Sequence, residues 1–414
     1  MRTKVRIGVA VGILLLLGVL AALGWWYQVK RPAPGQAAGE LAVNVTSSAD
    51  RGPGTLREAL FIVASANSKA IVSIRVETIA IETALPPLVN PHGVRIVAQQ
   101  PGAQIDAHAL AGGPVLDVAG ANTSIEGLVV RNCRATGILL RAAHFHLLSS
   151  TIESCDVGVD VAENADDILL ERNRFTNNRV GVRFAASSRN AIVVGNDFLN
   201  HRDTGLWAVR AEPDARGAAI SVRENRFNGD RSGIVTGNVA VLVERNDFAA
   251  EPEVAIHLLG ASAVIRGNHI SGAAAMGVIA ENARAAIIDS NELDHLSAYG
   301  IMVRGSANVL VRANRVYNCG YGLAFVLGDQ RSPSTAVGNT IIEPQFNGID
   351  VIGDSPILRS NQVLRPHAFA LHVTDFRQPD GQNVPAHPFL EGNNFRADTT
   401  QVATGNERST ARQP

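Results

Sequence analysis

Apolar and polar positions along the chain keep one repeating register. From Ser150 to Val363 a short apolar run leads into Asn-x-apolar, and a Gly then opens an alternating apolar stretch. The Asn positions are Asn173, Asn196, Asn225, Asn246, Asn268, Asn291, Asn314, Asn339 and Asn361. The gaps between them are 23, 29, 21, 22, 23, 23, 25 and 22 residues. Two residues beyond each Asn, Phe175, Phe198, Phe227, Phe248, Ile270, Leu293, Val316, Ile341 and Val363 hold an apolar place. Ser150 and Leu128 fill the Asn slot in the two preceding units. A period in the low twenties marks a solenoid, whose units bury their apolar faces only by stacking.

The runs inside a unit are short and β-branched, as in Ile192-Val193-Val194 and Gly300-Ile301-Met302-Val303, so they read as strands. Gly and Asn recur where a coil must turn through unusual backbone angles. Aligned Asn slots predict an internal ladder of side-chain amides, each bonded to the coils beside it. A leucine-rich repeat is excluded because its Leu-x-x-Leu-x-Leu consensus is absent. The expected fold is all-β, a parallel β-helix of about 11 regular coils. Irregular first coils precede them over 71–121, and Phe389–Phe395 echoes the unit once more.

The repeat also serves as a surface map, because coils about 4.8 Å apart bring equivalent residues into rows. Two positions before the slot the row is Glu171, Val194, Arg223, Glu244, Arg266, Asp289, Arg312, Val337 and Arg359. Its alternating signs predict a solvated, salt-bridged face. The row after the recurring Gly is Leu139, Asp160, Arg183, Trp207, Val235, His257, Ile279, Met302, Ala324, Asp350 and His372. Here acids, bases and an aromatic stand among apolar residues. Aromatic faces stack on sugar rings, and Asp, Arg and His supply hydroxyl contacts and proton transfer. The candidate catalytic residues are Asp350 with His372, or Asp160 with Arg183; Trp207 and His257 are candidate substrate contacts. The long turns 210–217 and 327–334 follow this strand and are placed to wall a groove along it. A loop-covered outer face explains the same residues equally well.

Other polar clusters carry less. Asn200-His201-Arg202-Asp203 and Asp294-His295 read as solvated turns, and Tyr299 lies near the second. Metal-ligand spacings, a nucleophile elbow and a phosphate loop are absent. Cys133 and Cys155 fall five residues after their slots, in adjacent coils, where a disulfide is geometrically open to them; Cys319 is coils away. The formal charge of −1 argues against nucleic acid as a partner.

Before the repeat, Met1–Arg6 is basic and residues 7–27 form an apolar stretch ending in Trp25, Trp26 and Tyr27. Its length and aromatic belt favour an uncleaved signal anchor over a signal peptide. The body, residues 41–396, then lies in the periplasm of a bacterium, single-pass on the inner membrane, or is secreted if the segment is cleaved. Residues 28–40 read as a linker and 397–414 as a tail without a core pattern.

Ser48-Ala-Asp-Arg-Gly-Pro-Gly-Thr-Leu-Arg-Glu-Ala-Leu60 reads as a cap, with a short helix from Leu56 to Ala64 closing the first coil. This segment, the coil spacing and the export signal together resemble the pectate-lyase-like right-handed β-helix superfamily. The resemblance implies carbohydrate activity: lyases, hydrolases, C5-epimerases or sugar-binding relatives, with calcium in some. It carries over no catalytic residue. A calcium-binding Asp cluster, the Arg-x-Pro-x-x-Arg segment, a paired Asp-Asp site and the Asp-Pro-His motif are not found; Asp166-Asp167 lies in a turn. Two function classes follow. One is an enzyme on an exported or cell-surface polysaccharide. The other is a non-catalytic scaffold that holds a polysaccharide or a partner in an envelope secretion complex.

Overall fold

A computed structural model describes residues 40–396, apart from 164, 185–187, 211–218, 261 and 273–274, together with the strand Val402–Thr404. Each turn of the chain contributes a strand to three parallel sheets in succession. One coil runs Ile168–Glu171, Arg174–Thr176 and Val180–Phe184, and the next begins at Ala191–Val194. Among the described residues the sheets hold 15, 14 and 13 strands, each bonded to its equivalent one coil away. This is a right-handed parallel β-helix, as the repeat predicts. The segment 7–27 lies outside the described residues, and among those described no helix is long and apolar enough to cross a membrane. Val402–Thr404, inside the stretch read as a tail, pairs with Leu371–Val373.

The period sets the core. Inward positions stack like on like: Phe175, Phe198, Phe227 and Phe248 are fully buried. The rings of Phe198 and Phe227 lie 4.6 Å apart, and those of Phe227 and Phe248 4.7 Å apart. Between the first and second sheets the residue before each slot takes a left-handed conformation, as at Arg172 (φ 54), Arg245 (φ 53) and Ser290 (φ 55). That bend turns the Asn side chain inward. Asn246 shows the resulting bonds: its main-chain N donates to Asn268 Oδ1 at 2.9 Å, and its Nδ2 donates to Val222 O at 2.9 Å. The ladder starts on Ser150 N and extends past Asn361 to Asn393. Buried amides are satisfied along it, so each coil is registered on the next.

At the N-terminal end the helix Leu56–Ala64 buries Leu56, Ala59, Leu60 and Val63 over the first coil. Thr55 is its N-cap, accepting from Glu58 N. Asp50 binds Arg57 Nη2 at 2.6 Å and Thr83 Oγ1 at 2.8 Å, tying the cap to the second turn of the chain. Cys133 and Cys155 are joined by a disulfide with their Cα atoms 4.2 Å apart; Cys319 is free and buried.

Candidate functional site

The rows drawn from the sequence are the rows of the structure. On the first sheet Glu244 pairs in register with Arg266 and Asp289 with Arg312, and the pairs bond at 2.9 and 2.8 Å. This face is a run of ion pairs, mostly half-exposed. Beside it the outward aliphatics Ile192, Leu242 and Val264 line a shallow apolar groove with no titratable side chain among the described residues.

The third sheet carries the candidate residues. Asp160, Arg183, Trp207, Val235, His257, Ile279, Met302, Ala324, Asp350 and His372 follow one another in unbroken register. The column does not form one site. Val235, Ile279 and Ala324 are buried within it. At about 4.8 Å per coil, Asp160 and Asp350 stand roughly 38 Å apart. The turn 327–334 is described; most of 210–217 lies outside the described residues, so the wall it was expected to form is not seen.

At the upper end Arg183 grips Asp160 with both arms, Nε to Oδ1 at 2.9 Å and Nη2 to Oδ2 at 2.5 Å. The bond to Asp160 holds the guanidinium above its usual value, against the opposing effect of burial. Trp207 is half-buried in the next strand. In the middle, His257 Nε2 lies 3.2 Å from Glu281 Oε2, and Arg304 lies 3.8 Å from the same carboxylate.

The lower end is assembled differently. Asp350 is 3 % exposed, and its Oδ1 accepts from Asn347 Nδ2 at 2.8 Å. The same oxygen lies 3.1 Å from His372 Nδ1, and His372 Nε2 lies 3.0 Å from Thr374 Oγ1. A carboxylate that fixes an imidazole, which in turn meets a hydroxyl, is an arrangement suited to moving a proton. Phe369 stacks on His372 with centroids 5.7 Å apart. Three more rings stand beside the pair. Tyr299 stacks on Tyr321 at 4.7 Å, and Tyr321 on Phe346 at 5.0 Å. Burial, then the nearby Asp350 charge, push the Tyr299 phenol up, so it stays protonated and able to donate. The sequence reading overlooked this stack. Tyr299 and Tyr321 stand one residue before the recurring Gly, outside the two rows that the spacing singles out.

Among the described residues no three His, Cys, Asp or Glu side chains come together as metal ligands. The described residues therefore do not fit a calcium ion of the kind the resemblance allows.

The right handed beta helix region family matches residues 114–263 and 214–363. The chain belongs to this family. Among curated proteins none matches the sequence. Solved structures with the same fold include the catalytic unit of a GH87 alpha-1,3-glucanase from Streptomyces thermodiastaticus. It is 17% identical with a TM-score of 0.55, over 92% of this chain and 72% of that one. PfbA, a surface adhesin of Streptococcus pneumoniae, is 11% identical with a TM-score of 0.54, over 82% and 93%. The A-module of the Azotobacter vinelandii mannuronan C-5 epimerase AlgE4 is 11% identical with a TM-score of 0.50, over 87% and 100%. Such identities speak for the fold alone.

The β-helix fold also explains one reversal. His201 is not in a solvated turn: its side chain is fully enclosed, with Nδ1 2.6 Å from Asp230 Oδ1. It lies five residues after its slot, in the inward row that holds Cys133 and Cys155. Asn178 precedes it in that row, and Asp230 and Glu251 follow. Burial, then the Asp230 charge, push the Glu251 carboxyl up to about 9. This inner column touches no open surface and belongs to the core.

Proposed function

We propose that the protein acts on a polysaccharide laid across the third sheet, with Asp350 and His372 as its proton-transferring pair. The observation that carries this is the Asp350–His372–Thr374 chain, on an outward face flanked by stacked aromatic rings. Asp350 fixes the imidazole through Nδ1. His372 Nε2 then takes a proton from a hydroxyl, or returns one, at the Thr374 side. Tyr299 supplies a protonated donor close by. The carbohydrate-active members among proteins of this fold, a glucanase and a mannuronan epimerase, support the substrate class. The basic and apolar N-terminus supports a position outside the cytoplasm, held by residues 7–27.

A second reading is favoured by a specific contact. Both ring nitrogens of His372 already have partners, Asp350 and Thr374. A fully engaged imidazole suits a binding surface, and an adhesin shares the fold.

A polysaccharide panel separates the two. Each polymer is incubated with the protein and assayed for reducing ends and for absorbance of unsaturated products. Turnover that disappears in Asp350→Asn supports the enzyme. Retention of a polymer without new ends, absorbance or change in its sugar stereochemistry, weakened in the same variant, supports the binding surface. If no polymer is bound or changed, the polysaccharide reading falls.

A further inference from the structure

The aromatic stack and the charges around it select among polysaccharides. Tyr299, Tyr321 and Phe346 are contributed by successive coils and stack in order. Tyr321 covers one face of Phe346, yet Phe346 is 48% exposed. A large aromatic left open to that degree at the end of a rigid stack is a platform for a flat apolar surface, such as the C–H face of a sugar ring. The stack beneath fixes its orientation before any ligand arrives, which lowers the ordering cost of binding.

The charge pattern says which sugar. Binding an acidic sugar calls for a cation that can bond its carboxylate. From Val157 to Thr374 the described arginines on the strands of the third sheet are Arg183 and Arg304. Arg183 is spent on Asp160 through two bonds, and Arg304 faces Glu281. Asp350, bonded by Asn347 beside Phe346 and felt by Tyr299 at the other end of the stack, is a charge that repels a carboxylate. We infer that Phe346, supported by Tyr321 and Tyr299, is a subsite for an uncharged sugar unit, so that the polymer recognised is a neutral glycan and not a polyuronate. This rests on the proposed polysaccharide function of the same face.

The test measures binding of the full chain to neutral glucans and galactans and to polyuronates, at low and high sodium chloride, alongside the product assays. The expected result is binding of a neutral glycan that hardly changes with salt. Its affinity should fall roughly tenfold in Phe346→Ala and survive in Phe346→Trp. Tyr321→Ala should also weaken it while the circular dichroism spectrum is kept, because the support under Phe346 is gone. Preferential binding of a polyuronate that weakens steeply with salt overturns the inference. If that polyuronate is also turned over in an Asp350-dependent way, the proposed function stands and only the neutral-glycan assignment falls. Equal binding by wild type and Phe346→Ala also overturns the subsite. No binding to any glycan removes both readings together.

Discussion

Asp160 and Asp350 occupy the same outward column of the same sheet, and both are almost buried, at 8% and 3% exposed. Each meets a basic side chain from the following coil. The difference lies in that partner. Arg183 is permanently charged and holds both oxygens of Asp160, so neither oxygen is left free for a substrate. His372 instead offers an imidazole, which touches one oxygen of Asp350 and turns its other nitrogen toward Thr374. The column supplies the position, and in the proposed function the neighbour one coil on decides between a tied-up acid and one that can work with an imidazole. The surroundings agree. The upper pair has one half-buried Trp207 in the next strand, whereas the lower pair is packed among stacked rings.

The largest expected effect tests that contrast directly. Asp350→Asn keeps the shape but cannot hold a positively charged imidazole. Turnover on the responsive polymer should fall by about 10²–10⁴-fold, the usual contribution of a positioned acid or base. Asp160→Asn should leave kcat and KM unchanged and lower the thermal midpoint instead. Measuring both quantities on both variants settles it. If Asp160→Asn is the one that loses turnover, the two ends of the column have been assigned the wrong way round.

Glu251 is a third acid, turned inward and given no cation. It lies fully buried, and among the described residues no side chain bonds its carboxylate oxygens. The charged groups that act on it are Asp230 and Asp247, while Asp230 is itself engaged by His201. Its native value of about 9 stands above the ordinary 4.5, so between those values the folded chain holds a proton that the unfolded chain has lost. Stability is therefore unaffected by this group below about 4.5, and declines as pH rises from there toward 9. At pH 7 the penalty is about 3 kcal/mol. Glu251→Gln should raise the urea midpoint at pH 7 to 9 and leave it unchanged near pH 4. A wild-type midpoint that does not fall between pH 5 and pH 9 contradicts the assignment.

The same register explains what could be read from the sequence and what could not. Slots such as Asn246 and columns such as Asp350–His372 were legible because every coil repeats them, and in-register stacking turns sequence spacing into distance. His201 was misplaced because Asn200, Arg202 and Asp203 make its neighbourhood look solvated. Its row, already used for Cys155, pointed inward. Phe346 was hidden by a turn that varies in length. From Asn314 to Gly322 the turn is one residue shorter than from Asn339 to Gly348, so Tyr321 and Phe346 fall at different distances from the Gly. Whether Asp160 would be neutralised by Arg183 or left free for chemistry depended on rotamers, which spacing does not fix.

The smallest effect separates two kinds of ion pair. Arg183–Asp160 has side-chain exposures of 38% and 11%, and Arg266–Glu244 has 50% and 13%. By burial the two are close. By geometry they differ, since Arg183 engages both carboxylate oxygens and Arg266 Nε is bonded to one at 2.9 Å. Bidentate pairing fixes the guanidinium with less entropy lost per bond, while solvent still screens an arginine more than a third exposed. Arg183→Gln should therefore cost about 1–2 kcal/mol, and Arg266→Gln less than about 1 kcal/mol. A double-mutant cycle with Asp160→Asn and another with Glu244→Gln, read from urea midpoints, isolate the pair energies. Equal coupling in the two cycles means that the second hydrogen bond adds nothing. The tight grip on Asp160 would then no longer explain why that end of the column is structural, and Asp160 would return as a candidate for the chemistry.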